Sequence, residues 1–179
     1  PERLKTFFKD FRITPVISLR RQDEWLESAY REQFKNGATN VDCMTYLRQA
    51  RESLDYVAVL DRWRDAFPGE EIIVLPFEKS SGAQPIERQF LDRIGARITG
   101  EMKSSPIMNE SFNRDALTFY HAFRESPRIG AKQALFKRAL ARYSGLHKDS
   151  AETRYVFDPA TRAALVAEHD AGNRRIAAE

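Results

Sequence analysis

Two short and largely apolar segments constrain the fold of this chain more than any other feature. They are Pro15–Arg20, with the sequence PVISLR, and Glu71–Glu78, with the sequence EIIVLPFE. Continuous rather than alternating apolar character is typical of strands in a parallel sheet that helices cover on both faces. About 50 residues with helical periodicity separate the two segments, which is enough for a crossover of two helices. The sequence therefore predicts an α/β fold, with a three-layer parallel sheet flanked by helices and a helix-rich C-terminal half.

The helical periodicity falls into segments with recognisable ends. A first helix is predicted from Asp23, a favourable N-cap residue, to a stop at Asn36-Gly37. Further helices are predicted at Asp42–Arg51, Asp55–Phe67, Ile86–Ile94, Asn113–Arg124, Ala131–Tyr143 (ended by Gly145) and Pro159–Ala178.

Size, charge and cysteine content exclude several protein classes. A chain of 179 residues fits one domain, and we predict a single domain over residues 1–179. The 29 basic and 26 acidic side chains are interleaved and leave a net charge of +3, so a nucleic-acid partner is not indicated. Apolar runs are far shorter than the ~18–20 residues of a membrane span, so no transmembrane segment is expected. One cysteine, Cys43, and three separated histidines predict neither a disulfide nor a structural metal, which suits a cytoplasmic protein.

The most informative stretch joins the first strand to the first helix. Arg20 ends the strand, a turn follows, and Ser28 lies on the helix eight residues later. Because the carboxyl ends of strands form the ligand crevice of open α/β sheets, Arg20 is expected where ligands bind. A guanidinium and a hydroxyl can together bind a phosphate group. Successive side chains of a strand point to opposite faces, so Arg21 is expected to point away from the side on which Arg20 lies. Such a pair also occurs by chance in many α/β proteins, so the spacing alone leaves both readings open.

This stretch resembles the sulfotransferases that use 3'-phosphoadenosine 5'-phosphosulfate (PAPS), in particular the bacterial carbohydrate-type branch. In that family a strand ends in Leu-Arg, a helix carries Ser eight residues after the Arg, and Tyr often follows two residues later. The matching residues are Leu19, Arg20, Ser28 and Tyr30. Weaker matches extend from about Phe11 over nearly the whole chain: Leu54-Asp55-Tyr56, Leu60 to Trp63, Pro76-Phe77-Glu78, Phe90-Leu91 with Ile94-Gly95, and Asn173 in the last helix.

The resemblance implies a reaction and a binding site. The fold would be that of phosphate-loop nucleotide enzymes. The reaction would move a sulfonyl group from PAPS to a hydroxyl, expected on a carbohydrate, and would leave adenosine 3',5'-bisphosphate without needing a metal. The resemblance also implies that Arg20 and Ser28 bind the 3'-phosphate of the nucleotide. It assigns no catalytic residue in this chain.

The chain also departs from the family pattern. A strand and a phosphate loop that binds the 5'-phosphosulfate should precede the strand ending at Arg20, yet too few residues precede it here. The glycines Gly95 and Gly100 have phosphate-loop spacing, but Glu101-Met102 follows them instead of Lys-Ser/Thr. We therefore expect this strand, its loop and the catalytic base to lie before Pro1. The alternative is a non-catalytic α/β module that binds a nucleotide or a partner, and a phosphate-loop kinase is a third reading.

The other candidate side chains form no catalytic group in the sequence. His121 lies in an apolar-rich segment and is interpreted as a packing residue, whereas His147 and His169 are interpreted as surface residues. The acceptor pocket is expected from the turn-rich segments Lys79–Pro85 and Gly100–Ser111, because acceptor specificity is commonly carried by loops.

Overall fold

The computed structural model describes residues 1–77, 86–96, 112–147, 150 and 152–178. In chain order its elements are α1 (Glu2–Phe7), β1 (Val16–Leu19), α2 (Gln22–Lys35), α3 (Cys43–Leu54), α4 (Tyr56–Ala66), β2 (Ile73–Pro76), α5 (Ile86–Arg93), α6 (Arg114–Phe123), a short 3₁₀ turn (Gly130–Lys132), α7 (Gln133–Leu146) and α8 (Pro159–Ala178). None of the helices in these ranges is long and apolar enough to cross a membrane.

The chain divides into two compact units. Unit 1 comprises Pro1–Gln22, Arg51–Ser104 and Val166–Glu179, and unit 2 comprises Asp23–Ala50 and Ser105–Leu165. Compact units of this kind can belong to one domain, so the single domain expected over residues 1–179 stays a prediction.

Unit 1 contains both predicted strands, and they pair in parallel. Val16 is the register partner of Ile73, and Leu19 is the partner of Pro76. The pairing continues past the last residue of β2, where the Phe77 amide donates to the Leu19 carbonyl at 2.7 Å. The parallel pairing expected from the apolar pattern is therefore confirmed. Three helices, α2 to α4, connect the strands, as the predicted helix segments indicate, whereas the length of the interval alone was taken to fit two.

The described residues thus show a mixed, mostly helical structure with a two-stranded parallel sheet. This agrees with the α/β class at a coarse level. The three-layer sheet stays a prediction, because the described ranges contain two strands.

Helix α4 supplies a buried face to unit 1. Its N-cap is Asp55, whose carboxylate accepts a hydrogen bond from the Ala58 amide at 3.0 Å and so satisfies one of the free donors at the helix start. Tyr56 and Leu60 lie four residues apart on one side of the helix, and both are buried. Trp63 is half-buried and stacks on Phe67 with 5.9 Å between ring centres.

Unit 2 is organised around aromatic side chains from α2, α3 and α6. The ring of Tyr30 lies 5.2 Å from that of Tyr46, and the ring of Phe34 lies 6.5 Å from that of Tyr120. Phe112, which precedes α6, is 5.7 Å from Tyr120. These five residues are buried, so apolar burial is the main stabilising contribution within this unit.

Some helices differ from the sequence predictions. Helix α1 was not predicted. Asp23, predicted as the N-cap of the first helix, lies in the first turn of α2, which begins at Gln22. Helix α7 runs from Gln133 to Leu146, whereas the predicted helix covered Ala131–Tyr143 and was expected to end at Gly145. A glycine ends a helix when it adopts a left-handed conformation, as Gly37 does after α2 with φ of 74°. Gly145 has no such positive φ and stays within the helix, so its presence in the sequence is not a stop signal.

Candidate functional site

Arg20 lies directly after β1, at the carboxyl edge of the parallel strand pair, where the sequence predicts it. Phe77 follows β2 at the same edge. The central carbon of the Arg20 guanidinium lies 5.4 Å from the centre of the Phe77 ring, which is a cation–π contact. A half-buried guanidinium at this edge of a parallel sheet can bind a phosphate or sulfate group.

The backbone of Arg20 is held by the first residue of α4. The Tyr56 hydroxyl donates a hydrogen bond of 2.6 Å to the Arg20 carbonyl oxygen. Burial raises the pKa of the Tyr56 hydroxyl to about 12, and the positive charge of Arg20 opposes part of this rise. The hydroxyl therefore stays protonated and remains a donor at neutral pH. No local pattern in the sequence indicates this bond.

A pocket of about 280 Å³ lies in unit 1 next to Tyr56. Its lining consists of Gln22, Asp55, Tyr56, Val57, Glu168, His169, Gly172 and Asn173. The side-chain amides of Gln22 and Asn173 pair reciprocally: Gln22 Nε2 donates to Asn173 Oδ1 at 2.8 Å, and Asn173 Nδ2 donates to Gln22 Oε1 at 3.0 Å. This pair joins the start of α2 to α8 and fixes one wall of the pocket.

Helix α8 contributes two further features to the pocket. Nε2 of His169 is buried and has no hydrogen-bond partner among the described residues. A Cβ at Gly172 would lie 3.2 Å from Cγ2 of Val57, so the glycine allows α8 and α4 to approach closely. His169 is half-buried, so its interpretation as a surface residue was wrong. His147 lies outside this pocket and is exposed, which confirms its interpretation as a surface residue.

His121 is also exposed, although its ring lies 5.3 Å from the Phe34 ring. It therefore packs on an aromatic neighbour from the surface of unit 2. Cys43 at the start of α3 is half-buried, and burial together with the Asp42 carboxylate raises the pKa of its thiol, which disfavours the reactive thiolate.

Ser28 lies on α2, as predicted, and is half-buried. It belongs to unit 2, whereas Arg20 belongs to unit 1. The two predicted phosphate ligands are therefore each placed on the expected element, and their convergence on one phosphate stays a prediction.

The residue before Ser28, Glu27, is a buried carboxylate with several polar contacts in unit 2. Glu27 is 4% exposed, and its carboxylate accepts hydrogen bonds from the amides of Val156 and Phe157 at 2.9 and 2.8 Å. It also forms an ion pair of 3.0 Å with Arg31. Burial lowers the pKa of the Arg31 guanidinium, and Glu27 counteracts that shift. These bonds fix the turn of α2 that carries Ser28.

Several predicted positions lie outside the described residues. They include Glu78 and the segments Lys79–Pro85 and Gly100–Ser111, from which the acceptor pocket is expected. Within the described ranges no group of three or more His, Cys, Asp or Glu side chains is placed to hold a metal ion.

Comparisons with known proteins add little to this geometry. No family model matches the chain, and no solved structure matches it. An uncharacterized protein of Archaeoglobus fulgidus is 36% identical to it over 76 residues, which cover 40% of this chain and 19% of that protein. The matched segment thus spans about a fifth of the relative's length. The relative's name states no activity, so the function has to be argued from the residues themselves.

Proposed function

We propose that this protein is a PAPS-dependent sulfotransferase that transfers a sulfonyl group to a hydroxyl of a carbohydrate acceptor. One observation carries the proposal: a parallel strand delivers Arg20 at its carboxyl end, and the helix that follows bears Ser28. This order of elements is the one that the resemblance implies for binding the 3'-phosphate of PAPS.

The proposal includes a larger fold than the described strands. In a sulfotransferase, β1 and β2 would belong to a three-layer structure in which further parallel strands extend the sheet. Two observations support this reading: the strands are parallel, and Ile73 and Leu75 of β2 are buried. Parallel sheets occur almost only where both faces are covered, and a two-stranded sheet has open edges.

The side chains of this chain would bind and orient the donor. The guanidinium of Arg20 offers a rigid set of donors that matches phosphate oxygens, and the Ser28 hydroxyl adds a neutral donor. Because the Tyr56 hydroxyl already holds the Arg20 carbonyl, less conformational freedom is lost when a ligand binds. When bound, PAPS supplies the sulfonyl group that is transferred. Arg20 and Ser28 act in this scheme by positioning and charge stabilisation, and not by proton transfer.

Turnover of radiolabelled PAPS with a panel of glycans tests the proposal in the gene product that contains this sequence. We expect labelled sulfate esters to form, and Arg20→Ala to lower kcat/KM by roughly ten- to a hundredfold, since a charge-assisted hydrogen bond is lost. Arg21→Ala is the matched control, because it removes the same charge one residue away and should leave kcat/KM nearly unchanged. Nucleotide binding without transfer to any glycan would instead favour the non-catalytic module, and neither binding nor transfer would reject both readings.

A further inference from the structure

The pocket next to Tyr56 is not used by the proposed phosphate ligands, and its lining suggests a ligand of its own. We propose that it binds a neutral, hydroxyl-bearing small molecule the size of one sugar ring. The inference does not depend on the proposed function, because such a molecule can bind here whether or not sulfonyl transfer occurs.

The charges of the lining argue against an anionic ligand. The eight lining residues include the carboxylates of Asp55 and Glu168 and no lysine or arginine. A phosphate or sulfate in this pocket would therefore meet acceptors and negative charge instead of the donors that it needs.

The carboxylates of Asp55 and Glu168 already have partners within the protein, which argues against a cationic ligand as well. Glu168 forms an ion pair with Arg51, and Oδ1 of Asp55 accepts the hydrogen bond from the Ala58 amide. An additional cation would have to compete with Arg51 for Glu168. A carboxylate nevertheless has about four acceptor positions, so both groups can accept hydrogen bonds from hydroxyls.

The remaining polar groups offer donors and acceptors together. The amide pair uses one N–H of Asn173, which leaves its second N–H for a ligand, and Asn173 is half-buried rather than sealed from solvent. The ring of His169 lines the same pocket, but its Nε2 is sealed from solvent and is not counted among the ligand's partners. Hydroxyl groups both donate and accept, so a polyol can satisfy the amide of Asn173 and the carboxylates of Asp55 and Glu168 at once.

The size of the pocket limits the ligand to one ring. A volume of about 280 Å³ lies just below the ~300–1,000 Å³ that is typical of small-molecule sites.

Nuclear magnetic resonance titrations without any nucleotide test the inference. The probes are methyl β-D-glucopyranoside as the neutral ligand, glucosamine as the cationic one and glucose 6-phosphate as the anionic one. We expect the neutral glycoside to bind at least as tightly as the other two and to shift the backbone amide signals of Val57 and Gly172. Tighter binding of the cationic or the anionic sugar, or no shift with any probe, would overturn the assignment.

Two variants with matched controls locate the binding. Glu168→Gln should weaken binding of the neutral glycoside about fivefold, because a charged acceptor becomes a neutral one. Asp170→Asn neutralises another exposed, arginine-paired carboxylate of α8 and should leave binding unchanged. His169→Phe places a larger ring in the lining of the pocket and should weaken binding, whereas His147→Phe, which lies outside the pocket, should not.

Unchanged affinity in both Glu168→Gln and His169→Phe would contradict the proposed site, provided that thermal melts show both variants folded. Because no nucleotide is present, these results are separate from the proposed function. Failure of nucleotide binding would bear on Arg20 and leave the pocket assignment standing.

Discussion

Replacing Tyr56 by phenylalanine removes a single oxygen atom and tests how firmly Arg20 is held. Tyr56 is 7% exposed, and its hydroxyl donates the 2.6 Å hydrogen bond to the Arg20 carbonyl. A buried hydrogen bond contributes ~0.5–1.5 kcal/mol, and an acceptor left unpaired raises the cost of losing it to ~1–3 kcal/mol. Since the ring and its apolar burial remain, we expect Tyr56→Phe to lower the free energy of unfolding by about 1–2 kcal/mol. Tyr56→Ala, which also removes the ring, should cost ~3–5 kcal/mol.

Urea unfolding followed by circular dichroism measures both changes. Tyr46→Phe is the matched control, because Tyr46 is 5% exposed but its hydroxyl has no hydrogen-bond partner among the described residues. The control should change the free energy of unfolding by less than ~0.5 kcal/mol. If Tyr56→Phe is as neutral as Tyr46→Phe, the bond does not stabilise the protein, and the argument that Arg20 is prepositioned is refuted.

Three further predictions concern stability. Glu27→Gln should lower the free energy of unfolding by ~3–5 kcal/mol in denaturant melts, because the Glu27 side chain is 5% exposed and loses both its ion pair with Arg31 and the charge of the group that the Val156 and Phe157 amides bind. Glu32→Gln, at a carboxylate that is 45% exposed, should cost less than ~1 kcal/mol, and similar losses in the two variants would contradict the buried role of Glu27. Leu60→Ala should cost ~2–5 kcal/mol, and a loss below ~1 kcal/mol would mean that the buried face of α4 is misassigned. Burial raises the pKa of Tyr56 to about 12 in the folded chain, whereas a free tyrosine has a pKa of about 10, so the stability that its neutral form contributes is present below about pH 10 and is lost as the pH rises to about 12. Tyr56→Phe should make this alkaline decline shallower in thermal melts, and an identical decline would contradict the assignment.

Much of the fold follows from local patterns in the sequence. The strands β1 and β2 are identified by continuous apolar residues, a pattern that is typical of parallel strands and so also predicts their pairing. Helix starts are identified by capping residues: Asp55 and Asn113 accept hydrogen bonds from the amides three residues later, as such residues do at helix N-termini. Arg20 and Ser28 fall on the expected strand end and helix for the same reason, since their elements are defined locally.

The features that local patterns miss depend on contacts between distant parts of the chain. Gln22 and Asn173 are 151 residues apart, and only the tertiary structure shows that their amides pair. The buried role of Glu27 depends on backbone amides 129 and 130 residues further along the chain, and no local pattern in the sequence identifies these partners. Helix α1 was missed because its apolar residues do not form a buried face: Leu4 and Phe7 are 44% and 78% exposed.

Calorimetric titration with adenosine 3',5'-bisphosphate and with AMP tests the central claim most directly, because the two nucleotides differ in the 3'-phosphate that Arg20 is proposed to bind. We predict tighter binding of the bisphosphate, a loss of roughly ten- to a hundredfold in Arg20→Ala, a smaller loss in Ser28→Ala, and wild-type affinity in Arg21→Ala. Equal affinity for the two nucleotides, or an Arg20→Ala variant that binds the bisphosphate as tightly as the unmodified protein, would contradict the assignment of Arg20 to the 3'-phosphate.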